Sequence, residues 1–291
     1  MRKILFVVNP VAGSGKSKTY INIINKRMKK TNIEFDIKIS SSIGNVTELC
    51  KAAKSNGYTS VVSVGGDGTL FEAINGIFGE NIKLGIIGSG TGNDFIRSLK
   101  IPLEIEKALD VVINKSTKFV DIGIVNDKYF LNVVSFGIDG EIVRLTDKIK
   151  NYIKGTSAYI TATLKSLATY KPKAMSIKID GKLLHREAYL VAVGNGKYFG
   201  GGMMVLPEAE IDDGLFDICI VNKMNKLKLI ALFPSIFTGK HMSVSGVENY
   251  RAKEIEIRSI KEKLVVNADG NLIGPSPALI KIAQSKLEIF V

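Results

Sequence analysis

Short apolar runs separated by amphipathic stretches set the rhythm of the first 124 residues. Residues 3–8, 33–39, 60–64, 83–87 and 117–124 are dense in Val, Ile, Leu and Phe, as buried strands are. Between them, 17–30, 46–56, 70–78 and 103–114 space their apolar residues as helices do. Strands alternating with connecting helices predict parallel crossovers and a three-layer α/β domain. Beyond residue 125 the rhythm changes. Runs are now separated by Asn126-Asp127, Asp180-Gly181 and Asp269-Gly270, dipeptides suited to tight hairpins. Antiparallel β structure is expected there, interrupted by helical stretches near 140–170 and 225–237. The expected division is an α/β domain over 1–125 and a β-rich domain over 126–285.

Three of the strands run into loops of small residues. Val61-Val62-Ser63-Val64 leads to Gly65-Gly66-Asp67-Gly68-Thr69, and residues 83–87 lead to Gly88-Ser89-Gly90-Thr91-Gly92-Asn93-Asp94-Phe95. Residues 4–8 lead to Asn9-Pro10-Val11-Ala12-Gly13-Ser14-Gly15-Lys16-Ser17. Glycine removes the Cβ atoms that would hold a phosphate off the main chain, and it admits φ > 0, so successive N–H groups can converge on an anion. A helix starting after such a loop adds its N-terminal dipole. Asp67 alone would repel phosphate, and it makes best sense with a divalent cation between the two. A plain strand-to-helix turn favours the same residues, so the Gly65–Thr69 block by itself leaves both readings open. Recurrence at three strand ends favours a single crevice, because the C-terminal ends of parallel strands share one edge. A Walker A loop is excluded, since glycine would be required where Pro10 stands. Lys16 is equally a phosphate contact or a helix-initiating surface lysine.

Composition narrows the class. With 291 residues, 45% hydrophobic and 23% charged, the chain can bury a substantial core and is expected to form two domains. Cys50 and Cys219 lie far apart without metal-ligand spacing, as buried thiols in a reducing compartment would. The apolar run after Arg2 and Lys3 is too short for a signal peptide, and the longest later one, 227–237, is broken by Lys228 and Pro234. A cytoplasmic protein is expected. Net charge is +12 and is shared between both halves, which suits an anionic partner such as an acidic lipid surface, a nucleic acid or ATP, or else serves solubility. Residues 144–173 carry Arg144, Lys148, Lys150, Lys154, Lys165, Lys171 and Lys173 against Asp147 alone, with Tyr152, Ile153, Tyr159, Ile160 and Leu164 between. Such a helix could rest on an anionic bilayer or pack on a core with a solvated basic face.

The ordered set of motifs closely resembles the diacylglycerol kinase catalytic domain of soluble bacterial lipid kinases, relatives of sphingosine and ceramide kinases. Its elements are Asn9-Pro10-x-Ala12-Gly13, Gly65 to Thr69 with Leu70, Glu72, Asn75 and Gly76, Gly90 to Phe95, and Pro207-Glu208-Ala209 followed by Asp213-Gly214 and Asp217. The resemblance runs from about residue 3 to the end. It implies an N-terminal three-layer α/β nucleotide-binding domain like that of NAD kinase and phosphofructokinase, and a C-terminal β-sandwich whose last strand, near 286–291, returns to the first domain. It implies a magnesium-dependent kinase that passes the ATP γ-phosphoryl group to the hydroxyl of a diacylglycerol-like lipid. ATP would be held by Asn9, Pro10, Val11, Ala12, Gly13, Ser40, Gly65, Gly66, Asp67, Gly68, Thr69, Leu70 and Thr91. Asp67 and Asp94 are the candidates for the catalytic magnesium network. Asp269, which the residues alone present as a hairpin turn, becomes the general base. Glu210, Asp213 and the carbonyl of Leu215 would hold a structural magnesium in an acidic cluster that otherwise reads as a solvated turn. The loop of Gly194-Asn195-Gly196 and Gly200-Gly201-Gly202 with Met203 and Met204 is placed near the lipid, with tight β-turns as the alternative. Neither His185 nor His241 is assigned a role.

The chain departs from the family pattern at Asn271, where glutamate is usual after Asp-Gly, at Phe71 for asparagine and at Gly88 for proline. The implied partner is a lipid at the inner face of a membrane, met by peripheral contact, with a homodimer allowed and no nucleic acid. The rival readings are an NAD kinase, disfavoured because the Asn-Glu dipeptide is missing, and a nucleotide- or lipid-binding regulator without turnover, motivated by Asn271.

Overall fold

The computed structural model describes residues 2–149 and 156–291. Their contacts form two compact units, one extending to Val120 and resuming at Gln284, the other spanning Asp121–Ala283. Lys150, Tyr152, Ile153 and Lys154 of the basic stretch lie outside the described residues.

The first unit is built from β1 (Lys3–Val8), α1 (Lys16–Met28), β2 (Glu34–Ile39), α2 (Asn45–Lys51), β3 (Ser60–Gly65), α3 (Asp67–Ile77), β4 (Lys83–Gly88), α4 (Asp94–Leu99), α5 (Ile105–Asn114) and β5 (Thr117–Val120). Its sheet has the order β2-β1-β3-β4, then the chain's final strand Leu287–Phe290, then β5. Strands β1 to β4 are mutually parallel, and the final strand pairs parallel to β4 and antiparallel to β5. Every residue of β3 and all but the first of β1 are buried, as layers on both faces of a parallel sheet require. Tyr20, Ile24 and Met28 of α1 and Ala108, Leu109 and Val112 of α5 share one cluster with β1 and β3.

The second unit continues with β6 (Gly123–Val125), β7 (Lys128–Phe130), β8 (Val133–Gly137), α6 (Ile138–Ile149), α7 (Thr156–Thr169), β9 (Lys173–Ile179), β10 (Lys182–Gly194), β11 (Phe216–Asn222), α8 (Lys226–Leu232), β12 (Val247–Ala252), β13 (Glu254–Ser259), β14 (Val265–Ala268), β15 (Asn271–Pro275) and β16 (Ala278–Ile282), leaving β17 for Leu287–Phe290. The long strand β10 organises it. Its first half pairs with β9 and its second half with β8 and β11, and the register shifts between Ala188 and Leu190. One half leads on to β13, β16, β6 and β7, the other to β14, β15 and β12, so a continuous ladder serves both layers of a β-sandwich. All three expected hairpins have left-handed backbone at both central residues, with φ of 46° and 62° at Asn126-Asp127, 41° and 87° at Asp180-Gly181, and 48° and 82° at Asp269-Gly270. Two-residue turns of this kind match the twist of the strands they join.

The expected strand 117–124 is divided. β5 stays in the first sheet, whereas the Asp121 N–H donates to the Ile211 carbonyl at 2.7 Å and β6 joins the second. The expected helix at 225–237 ends at Leu232 and tightens into a 3-10 segment, Phe233–Thr238, with Pro234 near its start. Proline has no N–H for the next α-helical bond.

Candidate functional site

In the first unit, the C-terminal ends of β1, β2, β3 and β4 lie side by side, and the loops beginning at Asn9, Ser40, Gly66 and Ser89 leave from that edge. Asn9 donates its N–H to the Val64 carbonyl, Ser40 to Val8 and Ser89 to Gly65. The loops also interlock. A Cβ at Gly13 would lie 1.9 Å from the Ser89 carbonyl oxygen, and one at Gly90 would lie 2.6 Å from the Gly66 Cα. Asn9 Nδ2 donates to Thr69 Oγ1 at 3.0 Å. Glycine is therefore required where loops cross, before any ligand is considered. Gly65 to Gly68 do not use the φ > 0 that glycine admits, and Gly66 is extended at φ −103°. Left-handed backbone falls instead on Gly13, Ser14 and Gly15. The reason is that α3 starts at Asp67 directly after the strand and leaves no room for a left-handed turn.

Asp67 is thus the first residue of α3, and its carboxylate accepts the N–H groups of Asn93 at 2.9 Å and Asp94 at 3.0 Å. It ties the second glycine loop to the third and caps α4, a helix the sequence did not announce. Asp94 is buried beside it. A Cβ at Gly92 would lie 2.7 Å from Asp67 Oδ2 and 3.5 Å from Asp94 Oδ2, so both acids flank that glycine. Burial, and then the neighbouring Asp94, push the Asp67 carboxyl up to about 6 despite its N–H donors. Ser89 Oγ and Asn93 Oδ1 are buried nearby without hydrogen-bond partners. Two crowded acids and two unsatisfied oxygens fit a hard cation carrying phosphate. Among the described residues no three His, Cys, Asp or Glu side chains gather as a metal cage, and Mg²⁺ bound by one or two carboxylates plus phosphates and water needs none. Thr69 is buried, Thr91 is exposed and Val11 stands 76% exposed.

In the second unit, Asp269 opens the β14–β15 turn and is buried. Its Oδ1 accepts from Asn132 N at 3.0 Å and Val133 N at 2.9 Å, and its Oδ2 from Leu131 N at 2.8 Å. Three of the roughly four acceptor positions of a carboxylate are thereby used, which fixes its orientation. Asn271 folds back, donating Nδ2 to the Asp269 carbonyl at 3.1 Å.

The acidic turn is more mixed. Asp213 pairs with Arg251 and accepts the Leu215 N–H at 3.0 Å, while Glu210 is exposed. Asp217 Oδ2 is buried without a hydrogen-bond partner, 3.5 Å from Arg251 Nε. Burial, followed by Glu208 and Glu210, pushes that carboxyl up to about 6.

A cavity of about 80 Å³ lies inside the second unit, lined by α6, α7, α8 and the 3-10 segment, with Met203 and Phe199 from the glycine loop. Most of its lining is apolar, apart from Asp139, Tyr159, Thr163, Tyr189 and His241. Asp139, at the start of α6, accepts from Ser135 Oγ at 2.6 Å, from Tyr159 Oη at 3.2 Å and from Asn267 Nδ2. Burial raises its carboxyl. His241 Nε2 lies 3.0 Å from the Val205 carbonyl, and burial lowers the imidazole. Sequence reasoning missed Asp139, although an apolar run followed by Gly137-Ile138-Asp139-Gly140 repeats the glycine-acid signal. Cys50 and Cys219 are buried free thiols, each pushed up to about 12 by burial.

Comparison with known proteins places these features. Residues 3–125 match the diacylglycerol kinase catalytic domain, and 132–291 match the YegS C-terminal NAD kinase beta sandwich-like domain. The chain belongs to the diacylglycerol kinase family. It is 30% identical over 283 residues to the diacylglycerol kinase of Bacillus subtilis (strain 168), covering 95% of this chain and 92% of that one. It is 31% identical over 291 residues to that of Staphylococcus aureus (strain MRSA252), covering 99% and 92%. The crystal structure of a diacylglycerol kinase from Bacillus anthracis superposes with a TM-score of 0.77 at 26% identity, covering 99% of this chain and 96% of that one. An NAD kinase from Archaeoglobus fulgidus, solved in complex with ATP, shares the fold with a TM-score of 0.53 at 15% identity, covering 100% and 94%. As a member of this kinase family, the chain transfers phosphate to an alcohol. Asn271, which stands where the family pattern has glutamate, is engaged with its own hairpin.

Proposed function

We propose that the chain is a magnesium-dependent lipid kinase that transfers the γ-phosphoryl group of ATP to the free hydroxyl of a diacylglycerol-like lipid taken from a membrane surface. The observation that carries this reading is the interlocked crossing of three glycine-bearing loops at one sheet edge, with half-buried Asp67 beside buried Asp94 inside it. Phosphoryl transfer demands positioning and charge neutralisation more than covalent chemistry. Asn9 to Gly13, Gly65 to Leu70, Ser40 and Thr91 would hold the nucleotide, with the N-termini of α1 and α3 directed to its phosphates. Asp67 and Asp94 would hold magnesium, which when bound offsets the negative charge of the polyphosphate. Asp269, oriented by its main-chain donors, would take the proton of the lipid hydroxyl. The cavity beneath α8 is suited to an acyl chain, because its wall is apolar apart from a few polar groups. Glu210, Asp213 and the Leu215 carbonyl are assigned a structural magnesium, supported by the unsatisfied Asp217 oxygen and the crowding of Glu208, Glu210 and Asp217.

The test is transfer of label from [γ-³²P]ATP to a lipid panel, with and without EDTA, and with product headgroups identified by mass. Magnesium-dependent labelling of a diacylglycerol is expected. Labelling of NAD alone in a parallel reaction would move the assignment to the NAD kinase chemistry of the more distant fold relative.

A further inference from the structure

α8 and the 3-10 segment after it are apolar on both sides. Leu229, Leu232, Phe233 and Ile236 recur at helical spacing and line the cavity. A helix packed on its domain by one such stripe ordinarily turns a polar face outward. Here the remaining positions include Leu227, 78% exposed, Ile230, 38% exposed, and Phe237, 40% exposed. Ala231 and Pro234 are exposed between them. α7, which packs on α8, adds Ile160 and Leu164 among the exposed apolar side chains.

The charges carried by these segments themselves have one sign. From Lys223 to Val247 the sequence holds four lysines and no acid, and α7 contains Lys165 and no acid. Three of the lysines already have partners: Lys226 faces the carbonyls of Leu167 and Tyr170, Lys228 reaches that of Ser245 at 2.7 Å, and Lys223 pairs with Glu187 at 2.9 Å. Lys165 and Lys240 are exposed.

We propose that Leu227, Ile230 and Phe237, with Ile160 and Leu164, form the surface by which this protein lies on an anionic lipid bilayer. On this assignment α8 and the 3-10 segment are a wall one helix thick, with the bilayer on one side and the cavity on the other. Charge complementarity selects the occupant. Acid-free apolar surface edged by lysines suits apolar chains beneath anionic headgroups, whereas two copies meeting through this face would bring like charges together. The purpose of the surface rests on the lipid-kinase reading, since a hydroxyl-bearing lipid stays in its bilayer while phosphoryl transfer takes place.

The chain contains no tryptophan, so one introduced indole reports a single place. Leu227→Trp and Phe237→Trp probe the proposed surface, and Leu183→Trp, at a 55% exposed position beside the β9–β10 turn, is the control. Each full-length variant is mixed, without ATP, with phosphatidylcholine vesicles that contain or lack phosphatidylglycerol, with plain or brominated acyl chains. With phosphatidylglycerol present, indoles at 227 and 237 should shift to the blue and be quenched by bromine, and the indole at 183 should do neither. Lys165→Gln with Lys240→Gln should weaken vesicle binding by about 10- to 30-fold. Co-sedimentation with vesicles without quenching at 227 and 237 would overturn the proposal. So would a blue shift that grows with protein concentration in the absence of vesicles, which would mark a contact between copies. Quenching without any lipid labelled in the transfer assay would reject the kinase reading and keep the docking surface, and labelling without quenching would do the reverse.

Discussion

Asp67, half-buried in the first unit, and Asp269, buried in the second, both accept main-chain N–H groups, yet they are held differently. Asp67 accepts from two residues of the adjacent glycine loop and has Asp94 beside it, so its carboxyl is pushed up to about 6. Asp269 accepts from three successive residues, Leu131 to Val133, at the start of β8. The first arrangement leaves negative charge in need of a cation, and the second supplies donors to the charge it holds. On the proposed assignment, the cation-binding acid and the proton-accepting acid differ in their surroundings, although each begins as an aspartate next to glycine.

Replacing Asp67 gives the largest expected effect. Asp67→Ala should bring lipid phosphorylation to background, because it removes the proposed metal ligand and the acceptor for two N–H groups of the interlocked loop. Calorimetric ATP titration in magnesium and in EDTA checks the cause, and magnesium-enhanced ATP binding that survives in the variant would break the assignment. Asp269→Asn should lower turnover by about 10²- to 10⁴-fold with ATP affinity nearly unchanged. Normal turnover would leave Asp269 as only a clamp on β8.

A smaller effect is thermodynamic. Asp67 has a folded value raised above its unfolded one, so it contributes stability that is present below about pH 4 and lost as pH rises through about 6. The difference corresponds to about 3 kcal/mol. In metal-free urea titrations, wild type should therefore lose stability relative to Asp67→Asn between pH 4 and pH 7, and a flat difference would show that the carboxylate is not crowded. Smallest is the acidic turn: magnesium should raise the melting temperature of wild type by mass action but not that of Asp213→Ala. Equal responses would leave Arg251 as the cation that serves Asp213.

Much of this arrangement is written locally. The alternation of apolar runs and helical stretches to residue 120 yields the parallel sheet, and the C-terminal strand ends then share an edge by topology alone. The hairpins at Asn126-Asp127, Asp180-Gly181 and Asp269-Gly270 are equally legible, because left-handed backbone at two adjacent positions depends on the residues that occupy them. α4 was hidden, since the glycines before it lower helix propensity and its cap is Asp67, far off in sequence.

The sequence by itself determined the two-part architecture, the three small-residue loops and the family to which their order points, because each depends on spacing within a few residues or on motif order. Tertiary structure alone decided what the loop glycines pack against, since Gly13 meets Ser89 and Gly66 meets Gly90 across separate strands. It also decided the setting of Asp269, whose donors lie 136 to 138 residues away, and the two apolar sides of α8, one of which is distinguished from the other only by the cavity behind it. Periodicity records which residues share a face of a helix, but what lies against that face is a long-range contact that no local pattern encodes.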